Sequence, residues 1–142
     1  MRVFIFILFL LSALSSDEIR PAYLEIQETT KNTYKLLFKT PKGSEKGSIK
    51  LSLVLPTSFK VHSKSFSSLN SYTLMHLEFT MQEPINKQVI KIKNLNHSSV
   101  ELIAKLVFLD GGTSIKRVLP QSGQLVIEHN SSFIQPFILM LI

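Results

Sequence analysis

From Pro21 onward apolar side chains recur at every second position, a period that suits strands and not helices. Successive strand residues point to opposite faces of a sheet, so a strict two-residue alternation marks a half-buried strand. Leu24 and Ile26 alternate with Tyr23, Glu25 and Gln27, and Tyr34, Leu36 and Phe38 share a face. Ile49, Leu51, Leu53 and Leu55 form another such set, as do Met75, Leu77 and Phe79 opposite His76 and Glu78. Val89 to Lys93 repeats the pattern. Residues 99–109 are more continuously apolar, which predicts a long central strand buried on both faces, although a short helix also fits such a run. Asp110-Gly111-Gly112 favours the strand, because these residues accept the positive φ of tight hairpins. Ser114–Leu119 and Gln124–Glu128 then close the sheet.

Turn-forming clusters separate these segments at short intervals: Thr29 to Asn32, Pro41 to Ser44, Pro56-Thr57, Glu83-Pro84, Asn94 to Ser98 and Pro120 to Gly123. The sequence therefore predicts an all-β fold, a single β-sandwich of about seven to nine mostly antiparallel strands. Its expected core is Leu24, Ile26, Leu36, Phe38, Leu51, Leu53, Leu77, Phe79, Ile90, Leu102 and Leu106. The serine-rich stretch from Ser63 to Ser71 reads as a mobile loop.

The two ends differ from this middle. Met1-Arg2 is followed by an unbroken apolar run from Val3 to Leu11 and by the small residues Ser12, Ala13, Ser15 and Ser16. That is the layout of a secretory signal peptide, cut before Ser16 or Asp17. The run is too short for a spanning helix, which takes about 20 apolar residues; an uncleaved anchor is the alternative. The division is then a signal peptide at 1–16, a sandwich at 17–132 and an apolar tail at 133–142, with the product exported to the periplasmic or extracytoplasmic side. The tail reads as the entry to a membrane helix. Ten helical residues rise only about 15 Å, half of a hydrocarbon core of roughly 30 Å. It offers a contact to a membrane surface or to helices supplied by another chain.

Composition narrows the chemistry. There is no cysteine, which removes disulfides, thiolate metal sites and cysteine nucleophiles. Loss of Arg2 with the leader leaves 15 basic against 10 acidic side chains, a net charge of +5. The lysines are scattered over polar strand positions, which fits a solvated sheet surface and not a nucleic-acid patch. His62, His76, His97 and His129 lack metal-site spacing. His76 and Glu78 share a strand face, where a polar surface is the plainer reading than a cation site; His129 reads as a surface partner of Glu128. No nucleophile elbow, phosphate-cradling loop or metalloprotease helix occurs, so neither enzyme activity, a cofactor nor a resident metal is expected. Asn96-His97-Ser98 and Asn130-Ser131-Ser132 match the glycosylation pattern, which has meaning only in a eukaryotic host.

The stretch Asp17-Glu18-Ile19-Arg20-Pro21-Ala22-Tyr23-Leu24-Glu25-Ile26 resembles the "H-E-x-R-P-A-Y-L-E-I" run that opens the exported region of the HupE/UreJ family of bacterial membrane proteins. Tyr34 to Pro41 is similar to that family's "Y-x-V-x-W-K-x-P", Ile92-Lys93-Asn94-Leu95 to "I-x-G-L", and Leu119-Pro120 to "L-x-P"; the hairpin Phe108 to Gly112 belongs to the same series. The resemblance spans roughly residues 17–133. It implies an extracytoplasmic β-sandwich that precedes a membrane-helix bundle, in proteins linked to hydrogenase or urease maturation and to nickel or cobalt uptake. No helical part is present here, so no transport residue carries over, and Asp17 replaces the family's first histidine. The expectation is a non-catalytic binding or accessory domain, detached from its bundle or the product of a truncated gene. Glu18, Arg20 and Tyr23 are its candidate partner contacts, with Glu18–Arg20 pairing and Tyr23 packing as the structural alternative. A soluble component of a metal transporter with separately encoded helices is the alternative function, and an exported hydrolase a third.

Overall fold

The computed structural model describes residues 20–42 and 50–129; the expected signal segment, Glu18 and the apolar residues 133–142 lie outside them. The described residues form nine strands: β1 (Ala22–Thr30), β2 (Thr33–Pro41), β3 (Ser52–Val54), β4 (Lys60–Leu69), β5 (Tyr72–Thr80), β6 (Val89–Lys93), β7 (Leu102–Val107), β8 (Thr113–Val118) and β9 (Gln124–Val126). A 3-10 turn at Leu95–His97 is their only helical element. No helix among them is long and apolar enough to cross a membrane.

The strands make a six-stranded sheet in the order β4-β5-β2-β1-β7-β8 and a three-stranded sheet in the order β3-β6-β9. All neighbours are antiparallel except β1 and β7, which run parallel from Ala22↔Leu102 to Gln27↔Val107. The antiparallel expectation therefore holds for every pair but that one. Tight turns are made by residues that tolerate a left-handed backbone: Asn32 (φ 65°) between β1 and β2, and Asn70 (φ 52°) between β4 and β5. At the β7–β8 hairpin Gly111 takes φ 88°, while the Gly112 N–H donates to Asp110 Oδ1 at 2.8 Å.

Both sheets bury one shared core. The larger contributes Leu24, Ile26, Leu36, Phe38, Leu77, Phe79, Leu102 and Leu106, and the smaller Ile90, Ile92 and Leu125. The Phe79 ring is stacked between Tyr34 and Phe59, with centroids 5.2 and 4.4 Å away. Each residue of the expected core is buried except Leu53, which is half-buried on the short strand β3 and packs against the cluster.

Two expectations are corrected. Residues 99–109 are not buried on both faces: in β7 Leu102, Ala104 and Leu106 face the core, while Ile103 on the opposite side is 37% exposed. No second layer among the described residues covers that side. Ser63–Leu69 is not a loop but most of β4, paired with β5 from Lys60↔Thr80 to Leu69↔Tyr72, and only Asn70 and Ser71 form the turn. All ten β4 residues are exposed, so no apolar period marks the strand in the sequence. Backbone pairing to β5 alone defines it.

Candidate functional site

Alternation sends half of each strand of the larger sheet away from the core, and most of the chemistry goes with it. No polar or charged residue among those described is buried. On the outward face β1 presents Tyr23, Glu25 and Gln27, β2 presents Lys35, Leu37 and Lys39, and β5 presents Leu74, His76 and Glu78. The pairing sets these side chains in rows across the strands. One row runs Ser63–Glu78–Lys35–Gln27 and the next runs Ser65–His76–Leu37–Glu25.

These rows floor an open groove of about 360 Å³, lined by Glu25, Gln27, Lys35, Leu37, Ser63, His76 and Glu78. That volume lies at the small end of the range for ligand clefts, about 300–1,000 Å³. The β4 register slips between Val61 and Ser63, beside the groove's far wall. Such an irregularity bends and twists a strand. The lining combines two carboxylates, an ammonium, an imidazole, an amide and a hydroxyl around the apolar Leu37. It can recognise a polar ligand or a polar stretch of a partner through paired charges and hydrogen bonds.

Tyr23 is half-buried on the same face and its hydroxyl donates to Glu25 Oε2 at 2.7 Å. Partial burial, then the Glu25 hydrogen bond and charge, push its phenol up to about 12. Tyr23 is thereby joined to the groove through Glu25. Arg20 is exposed just before β1, and its guanidinium donates to Ser71 Oγ in the β4–β5 turn. Lys39 lies nearby, with its ammonium 4.2 Å from the centre of the Tyr72 ring. The structure thus ties Tyr23 to the groove through Glu25 and places Arg20 at the β4–β5 turn, outside the groove lining.

His76 and Glu78 both line the groove, yet the described residues hold no group of three or more potential ligands placed for a metal ion. His62 sits at the β4 irregularity with Nε2 2.7 Å from Thr80 Oγ1, and His97 lies in the 3-10 turn. His129 pairs with Asp110 Oδ2 at 2.7 Å and stacks on Phe108, centroids 4.0 Å apart, while Glu128 bonds Lys116 at 2.9 Å instead. The expected Glu128–His129 pair is therefore replaced by two pairs that each tie the segment after β9 to β8 or its hairpin. The Gly112 N–H, then the His129 bond, hold the Asp110 carboxyl below its ordinary value. Beside it Glu28 accepts from the Leu109 N–H at 2.9 Å and the Tyr34 hydroxyl at 3.1 Å. Burial, then the nearby Glu28 charge, raise the Tyr34 phenol further than that of Tyr23.

Sequence reasoning missed Glu25, Gln27, Lys35 and Ser63 as site residues. The first three were readable as outward positions of two alternating strands; Ser63 was hidden because β4 carries no alternation. Searches found no protein-family model and no curated protein that matches this chain.

Proposed function

We propose that the chain is a non-catalytic binding or accessory domain that works on the extracytoplasmic side of a membrane, alongside a nickel- or cobalt-linked helical membrane protein. One observation carries the reading: Tyr23, from the run with the most specific resemblance, is hydrogen-bonded to Glu25, which lines the polar groove. The same strand thus supplies both the motif and part of the recognition surface. The groove lies on paired strands of a sheet, a rigid support that keeps polar contacts in register for a partner. The alternation that builds the sandwich supplies this face without disturbing the core.

The test is site-specific photo-crosslinking in an exporting bacterial host. A photoreactive residue at Gln27 or His76 should give a discrete adduct in the membrane fraction. The same residue at Ser52 or Lys93, on the smaller sheet, should not. Lys35→Glu with Glu25→Lys should abolish the adduct while the thermal midpoint stays close to that of the parent. Equal labelling from both sheets, or a chain retained in the cytoplasm with Met1 intact, would sink the reading.

A further inference from the structure

We infer that the second half of β4 is the seam of a homodimer, in which two copies of this chain join their six-stranded sheets edge to edge. An exposed sheet edge offers unpaired backbone donors and acceptors to any strand that meets it, so edges are commonly shortened, charged or kinked. Three of the four sheet edges among the described residues are managed in that way. β3 and β9 are three residues long. β8 carries Lys116 and Arg117, held in ion pairs with Glu128 and Glu101.

β4 is ten residues long and exposed throughout. Lys60, Lys64 and the irregularity between Val61 and Ser63 protect its first half. Ser65 to Leu69 contains no charge, no proline and no irregularity, and it displays Phe66 at 64% and Leu69 at 52% exposure. Phe66 is opposite Met75 on the core-facing side of the sheet, and the Lys64 ammonium lies 5.5 Å from its ring centre.

The division of charge along β4 selects the occupant. An acidic strand from another protein would complement Lys60, His62 and Lys64 and leave Ser65–Leu69 unmatched. Antiparallel pairing with a second copy does the reverse: the neutral halves meet and the basic halves diverge. With the two-fold axis at Phe66, Ser63 faces Leu69, Lys64 faces Ser68, Ser65 faces Ser67, and Phe66 faces Phe66 of the second copy. The two Lys64 residues are then four strand positions apart, about 13 Å along the strand. That exceeds the screening length of about 8 Å at physiological salt, so their repulsion is weak. Facing aromatic side chains are among the favourable cross-strand pairs. Both grooves stay open on the outer face of the joined sheet.

The absence of cysteine makes the seam directly testable. Facing residues on paired strands have Cβ atoms about 4.5–5.5 Å apart, near the distance a disulfide takes. Under mild oxidation full-length Phe66→Cys should form a covalent dimer, whereas Ile115→Cys on the β8 edge, 69% exposed, should remain largely monomeric. Sedimentation of the chain without substitutions should show a species of twice the monomer mass that grows with concentration. Phe66→Lys, with an unchanged circular dichroism spectrum, should lose it. A monomer at every concentration, a dimer that survives Phe66→Lys, or equal disulfide formation at 66 and 115 overturns the proposal. If Phe66→Lys fails to fold, the comparison of the two cysteine variants decides.

Discussion

Leu24 and Leu53 were equivalent in the sequence, both apolar positions of an alternating run, yet they differ in how much surrounds them. Leu24 is fully buried in the longest sheet, while Leu53 sits on a three-residue strand and keeps part of its surface. Leu24→Ala should therefore cost about 2–5 kcal/mol, through lost transfer energy and the cavity left behind. Leu53→Ala should cost at most about 2 kcal/mol, because less area returns to water. Urea unfolding of the two variants checks the order, and equal losses would contradict it. Asp110 makes a second residue-level case, this one in pH. Its carboxyl is held below 3.8 by the Gly112 N–H first and His129 second. A depressed folded pKa stabilises the fold above the unfolded value, and that contribution is lost as pH falls through the folded one. Acid unfolding followed by circular dichroism should accordingly be shallower below pH 3.8 in Asp110→Asn than in the parent. Nothing in the sequence pointed to this pair, since nineteen positions separate its members and they meet only when the segment after β9 returns to the turn of the β7–β8 hairpin.

At the level of elements, strands with one face in the core were legible and those without were not. β1, β2, β5 and β6 announce themselves by alternation because burial selects every second side chain. β4 has no buried face and so nothing for a pattern to record; its serines are equally at home in a loop. The candidate site inherits the same limit. Tyr23 was readable from its motif and the His76–Glu78 face from its period, whereas Ser63 required knowledge of β4. Turns were legible through their backbone demands. Gly123 ends the Leu119–Gly123 turn before β9 with φ +63°, and a Cβ there would meet open space. Gly123→Ala should then express the backbone penalty alone, about 1–2 kcal/mol, with Gly123→Asn milder because asparagine tolerates this region. Chemical denaturation of both would show it. An alanine variant as stable as the parent would place the turn in another conformation.

Across the whole molecule, the parallel pairing of β1 with β7 is the feature no local signal could supply. It joins Ala22 to Leu102, eighty positions away, and places the first strand of the described fold at the centre of the larger sheet. Neither sheet is complete until the chain has passed between them several times: β3 and β6 belong to the smaller, β4, β5 and β7 to the larger, and β9 returns to the smaller. The three-stranded sheet has only short strands and shares one buried cluster with the larger sheet, so it has no independent stability to fall back on. Loss of either sheet exposes the core of both. Unfolding should therefore be one cooperative transition, with the same midpoint by far-ultraviolet circular dichroism and by the near-ultraviolet signal of Tyr34, which is packed against Phe79. Contacts at such sequence separation close slowly, so refolding should take milliseconds to seconds, and not the microseconds of locally wired folds. Ile92→Ala in the smaller sheet should shift both probes together, as Leu24→Ala should in the larger. Separate midpoints, with the smaller sheet melting first, would show that the two sheets are stabilised independently and that the shared core does not bind them into one unit.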